Sequence, residues 1–266
     1  MKSNLSLTFQ KCKSEKRPAL LTYTVAGDNN IKTSLDIINT IAKHADIIEL
    51  GFPHNTPIAD GGQIQESSHR ALKNKIKLKD VFKIVASFKK KNKKKPIILM
   101  GYYNLIYQMG ERNFLYACKK ASVDGLIVVD LPWPENKKFA LKCKKEFIDF
   151  IQLISPTTSK ERMKNIIRDS HNMVYYISML STTGGKLKVS SKSIMKNYNK
   201  IKKLDKTMNL VIGFGITTKT ISSLKKADGL VVGSQLCKNI TNSIKKQKNP
   251  VMSLNKIVNQ LKKAIS

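Results

Sequence analysis

Acidic residues are scarce in this chain: 18 Asp and Glu stand against 49 Lys and Arg in 266 residues, a formal net charge of +31. Long apolar runs are missing as well. No stretch reaches the roughly 18 consecutive apolar residues of a membrane-spanning helix. The segment Met1 to Gln10 also lacks the long apolar centre of a signal peptide. The expected compartment is therefore the cytosol, or the stroma of an organelle that encodes the chain. Cysteine is limited to Cys12, Cys118, Cys143 and Cys237, with neither paired nor metal-ligand spacing. That pattern argues against a disulfide framework or a metal site and fits free, buried thiols in a reducing compartment.

The lysine excess invites a nucleic-acid reading, because clustered cations release counterions from phosphates. Its distribution argues against one. Lysines occur in nearly every polar stretch, among them Lys89 to Lys91, Lys93 to Lys95, Lys137, Lys138, Lys202 and Lys203, mixed with Asn, Ile and Ser rather than with Arg and aromatics. This is the pattern of solvated helix faces. One segment departs from it: Ala45 to Glu66 contains no Lys or Arg, yet carries Glu49 and Asp60.

Short apolar runs recur along the whole chain at 20–25, 47–50, 97–100, 125–129, 147–153, 173–177, 210–214 and 229–232. Between most of them lie Lys/Glu/Asn-rich segments with helical spacing, such as Val81, Ile84, Val85 and Phe88. Alternation of this kind predicts a parallel sheet, and eight runs predict a (β/α)8 TIM barrel of the α/β class. No Pro/Gly/Ser linker interrupts it, so residues 1–266 are expected to form a single barrel domain. The gap after the second run leaves room for an extra helix around Gln65 to Leu72, and the first 19 residues for an N-terminal one.

Barrel chemistry sits at the C-terminal ends of the strands. Along the second run, Ile47, Glu49 and Gly51 share one face while Ile48 and Leu50 share the other; with the latter pair against the helices, Glu49 points into the barrel mouth. Asp60 lies on the Gly-rich loop that follows. Near the C-terminus, Gly213, Gly215, Gly233 and Ser234 close the last two strands, and Thr183-Gly184-Gly185 follows the sixth. Backbone amides at such turns and helix starts bind phosphate, so a phosphorylated small molecule is the expected substrate.

The residues Glu49-Leu50-Gly51 with Pro53, Pro57-Ile58-Ala59-Asp60-Gly61, Ile64-Gln65, Leu99 to Asn104, Asp130-Leu131-Pro132, Tyr175 to Ser178, Thr183-Gly184, Gly213 to Ile216 and Gly233-Ser234 occur in order. In them the chain resembles the tryptophan synthase α subunit family along essentially its whole length. The resemblance implies reversible cleavage of indole-3-glycerol phosphate to indole and glyceraldehyde 3-phosphate, with no cofactor in this subunit. It also implies an α2β2 complex with a β subunit, itself dependent on pyridoxal phosphate, that receives the indole. By the same resemblance Glu49 and Asp60 are the catalytic pair, Ile64, Tyr102, Tyr175 and Phe214 line the indole pocket, and Gly184, Gly215, Gly233 and Ser234 hold the phosphate.

The chemistry asks for an acid that protonates indole C3 and then, as a base, takes the proton of the adjacent hydroxyl, so Glu49 needs a raised pKa. Asp60, in a polar loop, is expected to stay ionised and to accept the indole N–H. The chain departs from the family pattern at His54-Asn55-Thr56, where Phe-Ser-Asp is usual, at Gly62 in place of Pro, at Met179 in place of Arg and at Ser181 in place of Gly. His54 reads as a packing or interface substitution. These departures motivate an alternative, a barrel of weakened turnover that acts mainly as a binding and activating partner of the β subunit; the retained Glu49 and Asp60 argue against it.

Overall fold

Val, Ile, Leu and Tyr crowd the apolar runs, and a strand made of such residues can bury both faces only between helices and a filled barrel interior. The computed structural model describes residues 3–178, 190–213 and 215–266. Among them the strands are β1 (Ala19–Val25), β2 (Ile47–Gly51), β3 (Ile97–Gly101), β4 (Gly125–Val128), β5 (Asp149–Phe150), β6 (Gln152–Ile154), β7 (Met173–Ile177), β8 (Asn209–Gly213) and β9 (Gly229–Val232). All neighbouring pairs are parallel, in the order β5-β4-β3-β2-β1-β9-β8-β7-β6.

The nine strands are eight runs with one broken. Residues 149–150 pair with β4, residues 152–154 pair with β7, and the Ile151 N–H still reaches the Leu126 carbonyl at 2.9 Å. One continuous segment thus joins the two ends of the sheet order and brings the barrel close to closure. The fifth run also begins later than its apolarity predicts, at Asp149 rather than Phe147. Phe147 is 88% exposed and turns the chain at φ 59°, a left-handed backbone that no strand adopts.

Helices α1 (Asn4–Ser14), α2 (Ile31–Ile41), α3 (Gly62–Lys73), α4 (Leu78–Lys91), α5 (Tyr103–Met109), α6 (Glu111–Ala121), α7 (Lys137–Lys145), α8 (Lys160–Arg168), α9 (Ser191–Lys202), α10 (Ser234–Lys245) and α11 (Pro250–Lys263) lie between and beyond the strands. A 3-10 turn, Ile221–Leu224, occupies the β8–β9 connection. The N-terminal helix and the helix after strand 2 both form, as α1 and α3. A further helix, α5, was not expected; its first N–H, that of Tyr103, is capped by Asp130 at 2.8 Å. α1, capped by Ser3, packs its buried Leu5 and Phe9 against the starts of β4 and β9, where Gly125 and Gly229 leave the space.

At that N-terminal face the same device recurs. An aspartate just before one strand accepts the first or second backbone N–H of the neighbouring strand and is held by a cation. Asp46 accepts Leu20 N–H at 2.8 Å and pairs with Arg17 and Lys262; Asp124 accepts Ile97 N–H at 2.8 Å and pairs with Lys89; Asp228 accepts Leu210 N–H at 2.9 Å and pairs with Lys202. Each aspartate ties two strands and a helix or segment outside the sheet together. Burial alone would raise the Asp46 carboxyl, but hydrogen bonds from Arg17, Leu20 and Lys262 outweigh it and hold the group below the usual carboxylate range. A depressed folded pKa contributes stability that is complete above the unfolded value and is lost as the pH falls below it. Asp46→Ala, which removes the bidentate partner of Arg17 and leaves it Glu15 and the Pro18 carbonyl, is expected to lower unfolding stability by about 2 kcal/mol in urea titrations at pH 7, and the difference from the wild type should shrink as the pH drops below 4.

Candidate active site

Three strand ends carry a glycine because an aromatic ring occupies the place of its side chain. A Cβ on Gly51 of β2 would lie 2.1 Å from the Tyr23 hydroxyl, one on Gly101 of β3 2.1 Å from the Phe52 ring, and one on Gly213 of β8 2.0 Å from the Tyr175 hydroxyl. Tyr23 and Tyr175 come from β1 and β7 and lean across the barrel mouth. They line a small cavity together with Asp60, Ile64, Met100, Gly215, Ile216, Val231, Gly233 and Ser234.

Glu49 of β2 is not among the residues that line this cavity. It is level with Tyr23 in the β1–β2 register and is 0% exposed, and neither of its oxygens has a hydrogen-bond partner among the described residues. Desolvation alone pushes its carboxyl up to about 8. Its charge is felt by Tyr23 and by Tyr175 on the opposite side of the barrel, which fits a side chain turned inward. Asp60 is 8% exposed and is raised by burial to about 6, opposed by a hydrogen bond from the Tyr102 hydroxyl at 3.3 Å. From its sequence Asp60 is expected in a polar environment. Its loop is polar in composition, but the fold lowers it against Tyr102 and Ile64 and excludes water from it.

The loop itself is held from several sides. The Ala59 N–H donates to the Tyr102 hydroxyl at 3.0 Å, and Gln65 Nε2 donates to the Asp60 carbonyl at 2.9 Å. His54 stacks on Tyr102 with ring centroids 4.6 Å apart, while its Nδ1 accepts the Thr56 N–H at 3.1 Å. This is the packing role expected of His54. α3, which begins just after Asp60, is tied back to the β1 loop by a bidentate Arg70–Asp28 pair at 2.8 and 2.9 Å.

On the opposite rim, Gly215 takes φ 71°, a left-handed conformation suited to glycine, and Gly233 with Ser234 opens α10. The first amides of a helix have no intrahelical acceptor and face outward with the positive end of the helix dipole. The structure therefore brings Asp60, Ile64, Tyr175, Gly215, Gly233 and Ser234 onto one cavity, while Glu49 is buried outside its lining, level in the strand register with the cavity's Tyr23. Tyr102 does not line the cavity and is joined to it through its hydrogen bond to Asp60. Phe214 and Gly184 lie outside the described residues, as do Met179 and Ser181. Tyr23, Met100, Ile216 and Val231 were not among the expected site residues. Of these, Tyr23 was accessible in principle through its register opposite Glu49, which only the strand pairing reveals.

A fully buried acid on an interior strand, a second buried acid in the cavity and a helix start on its rim are features of a barrel suited to acid–base chemistry. The family model described as "Tryptophan synthase alpha chain" matches residues 9–266. The tryptophan synthase alpha chain of Pelagibacter ubique (strain HTCC1062) is 70% identical over 264 residues, covering 99% of this chain and 100% of that protein. The crystal structure of tryptophan synthase subunit alpha from Legionella pneumophila str. Paris superimposes with a TM-score of 0.92 at 31% identity, covering 100% of this chain and 99% of that one. A chain of the tryptophan synthase complex from Pyrococcus furiosus gives 0.81 at 37% identity, covering 91% and 97%. The chain belongs to the tryptophan synthase alpha chain family.

A folded pKa near 8 for Glu49 means that the folded state keeps a proton the unfolded chain releases near 4.5, so the group costs stability increasingly as the pH rises between those values. Glu49→Gln is expected to stabilise the fold by about 3 kcal/mol at pH 7, with the gain fading toward pH 4.5. Urea titrations of the wild type and the variant at several pH values check this.

Proposed function

We propose that the chain cleaves indole-3-glycerol phosphate reversibly to indole and glyceraldehyde 3-phosphate, as a carbon–carbon lyase of tryptophan biosynthesis. The single observation that carries this reading is the Glu49 carboxyl, fully buried and unpartnered among the described residues, so that desolvation pushes it up to about 8. Protonated Glu49 gives its proton to indole C3, which makes the ring cationic. The resulting carboxylate then takes the proton of the hydroxyl on the carbon attached to C3. The C–C bond breaks as that carbon becomes the aldehyde, and the bonding pair returns to the ring and neutralises it. One carboxyl group serves as acid and then as base, and ends the cycle protonated.

Asp60, with a pKa of about 6, is mostly ionised at pH 7. In this role it accepts the indole N–H and stabilises the positive ring, an interaction strengthened by the exclusion of water. Ile64, Tyr175 and Phe214 enclose the ring, and Tyr102 fixes Asp60. The amides of Gly184, Gly215, Gly233 and Ser234, with the Ser234 hydroxyl, receive the phosphate at the far rim. The reaction requires no cofactor in this subunit.

The assembly proposed is an α2β2 tetramer in which a pyridoxal phosphate-dependent β subunit takes the indole; the likeness to a chain of the Pyrococcus furiosus complex supports a partner of this kind. Single-turnover release of indole from indole-3-glycerol phosphate, with and without the β subunit, tests the reading. Indole is expected in both cases, more of it with β, and its absence from both overturns the proposal in favour of a binding partner without turnover.

The two pKa values set the pH dependence. The active form carries Asp60 ionised and Glu49 protonated, so kcat/KM is expected to rise through about pH 6 and fall through about pH 8. Glu49→Gln should lower kcat by roughly 10³-fold or more while leaving the affinity for inorganic phosphate unchanged. Asp60→Asn should be strongly impaired and should lose the acidic limb. Steady-state pH profiles of the three proteins measure all of this.

A further inference from the structure

The two glycine-bearing segments of the rim come from different parts of the chain, the loop after β8 (215–220) and the first turn of α10. The hydrogen bonds that bridge them among the described residues come from one side chain. Gln235, the second residue of α10, accepts the Thr218 backbone N–H on Oε1 at 2.9 Å and donates from Nε2 to the Thr218 hydroxyl at 3.2 Å. The loop is also braced internally: the Thr220 hydroxyl accepts the Thr217 N–H at 3.0 Å, and the Thr217 hydroxyl accepts the Lys219 N–H at 3.3 Å. Those bonds set the shape of the loop. They do not set its distance from α10.

Gly215 and Gly233 have no side chains with which to anchor the loop, and Ser234 is exposed. Amides that must converge on one anion from two segments are effective only if the segments are held within a few tenths of an ångström of the working geometry, since misplacement by about 1 Å costs on the order of 100-fold in comparable sites. A carboxamide is suited to this task. Its oxygen meets the N–H, its nitrogen meets the hydroxyl, and the group is neutral, whereas a carboxylate there would lose the donor and set a negative charge beside a bound phosphate.

We propose that Gln235 is a positioning residue that fixes the gap between the β8 loop and α10 and thereby sets the affinity for the phosphate end of the substrate. The inference rests on the reading of this rim as the phosphate site. It predicts an effect on KM rather than on kcat, because Gln235 touches neither acid and acts only where substrate and transition state are held alike.

The test uses the full-length chain with inorganic phosphate as the probe, by calorimetry, alongside steady-state cleavage of indole-3-glycerol phosphate. Gln235→Leu is expected to raise both the phosphate Kd and KM about tenfold, with kcat within about twofold of the wild type, and with the pH limbs unmoved. Gln235→Glu should weaken phosphate binding further. Thr218→Val, which removes only the 3.2 Å bond, should raise Kd about threefold. Combined with Gln235→Leu it should add nothing, as expected for two partners in one interaction. It also carries the test if the leucine variant fails to fold. Wild-type phosphate binding that is unchanged in both single variants overturns the positioning role alone, as does a fall in kcat at constant KM. A wild type that binds no phosphate overturns the phosphate rim together with it.

Discussion

Desolvation of one carboxyl group, Glu49, is the constraint around which the top of the barrel is organised. The group sits on a barrel strand with no hydrogen-bond partner for either oxygen among the described residues, and desolvation pushes it up to about 8. A charged carboxylate in such a place would cost several kcal/mol. The fold accepts that cost in the form of a raised pKa, and the retained proton is what the proposed cleavage needs. The glycines at the strand ends serve the same purpose. Gly51 and Gly213 make room for the rings of Tyr23 and Tyr175, which line the cavity, and Tyr23 is level with Glu49 in the strand register.

The two ends of the barrel treat the same chemistry in opposite ways. At the N-terminal face, Asp46, Asp124 and Asp228 each accept a strand N–H and each meet a lysine or arginine, so their charges tie elements together. At the C-terminal face, burial moves Glu49 and Asp60 upward, and the one opposing hydrogen bond is the Tyr102 hydroxyl on Asp60. Among the described residues of this chain of +31 net charge, no cation pairs with either Glu49 or Asp60, while lysines are spread over the helices. Ion-paired and unpaired acids are segregated along the barrel axis, at the two ends to which this fold class assigns stability and chemistry.

Much of this was legible before the strands were seen in place. The apolar runs mark the sheet because a parallel strand buried on both faces has to be apolar throughout, and Glu49 stands out because its neighbourhood lacks the cations found elsewhere. What local sequence did not carry is what depends on partners distant in the chain. The break at Ile151 comes from one segment pairing with β4 and then with β7, and an apolar run cannot announce a change of neighbour. Asp60 reads as a polar-loop residue, yet Tyr102 and α3, anchored through Arg70 and Asp28, fold that loop down over it. Tyr23 reads as one more core residue until the β1–β2 register sets it beside Glu49.

The charge state of Glu49 in the resting protein is therefore the most direct test. Carbon-13 NMR of protein labelled at the glutamate side-chain carboxyl, with the resonance assigned by its loss in Glu49→Gln, follows that state through the pH range. A neutral carboxyl at pH 7 that ionises near 8 is the expected result. A carboxylate already formed at pH 6, with a midpoint near the ordinary 4.5, would contradict it and remove the proton on which the cleavage depends.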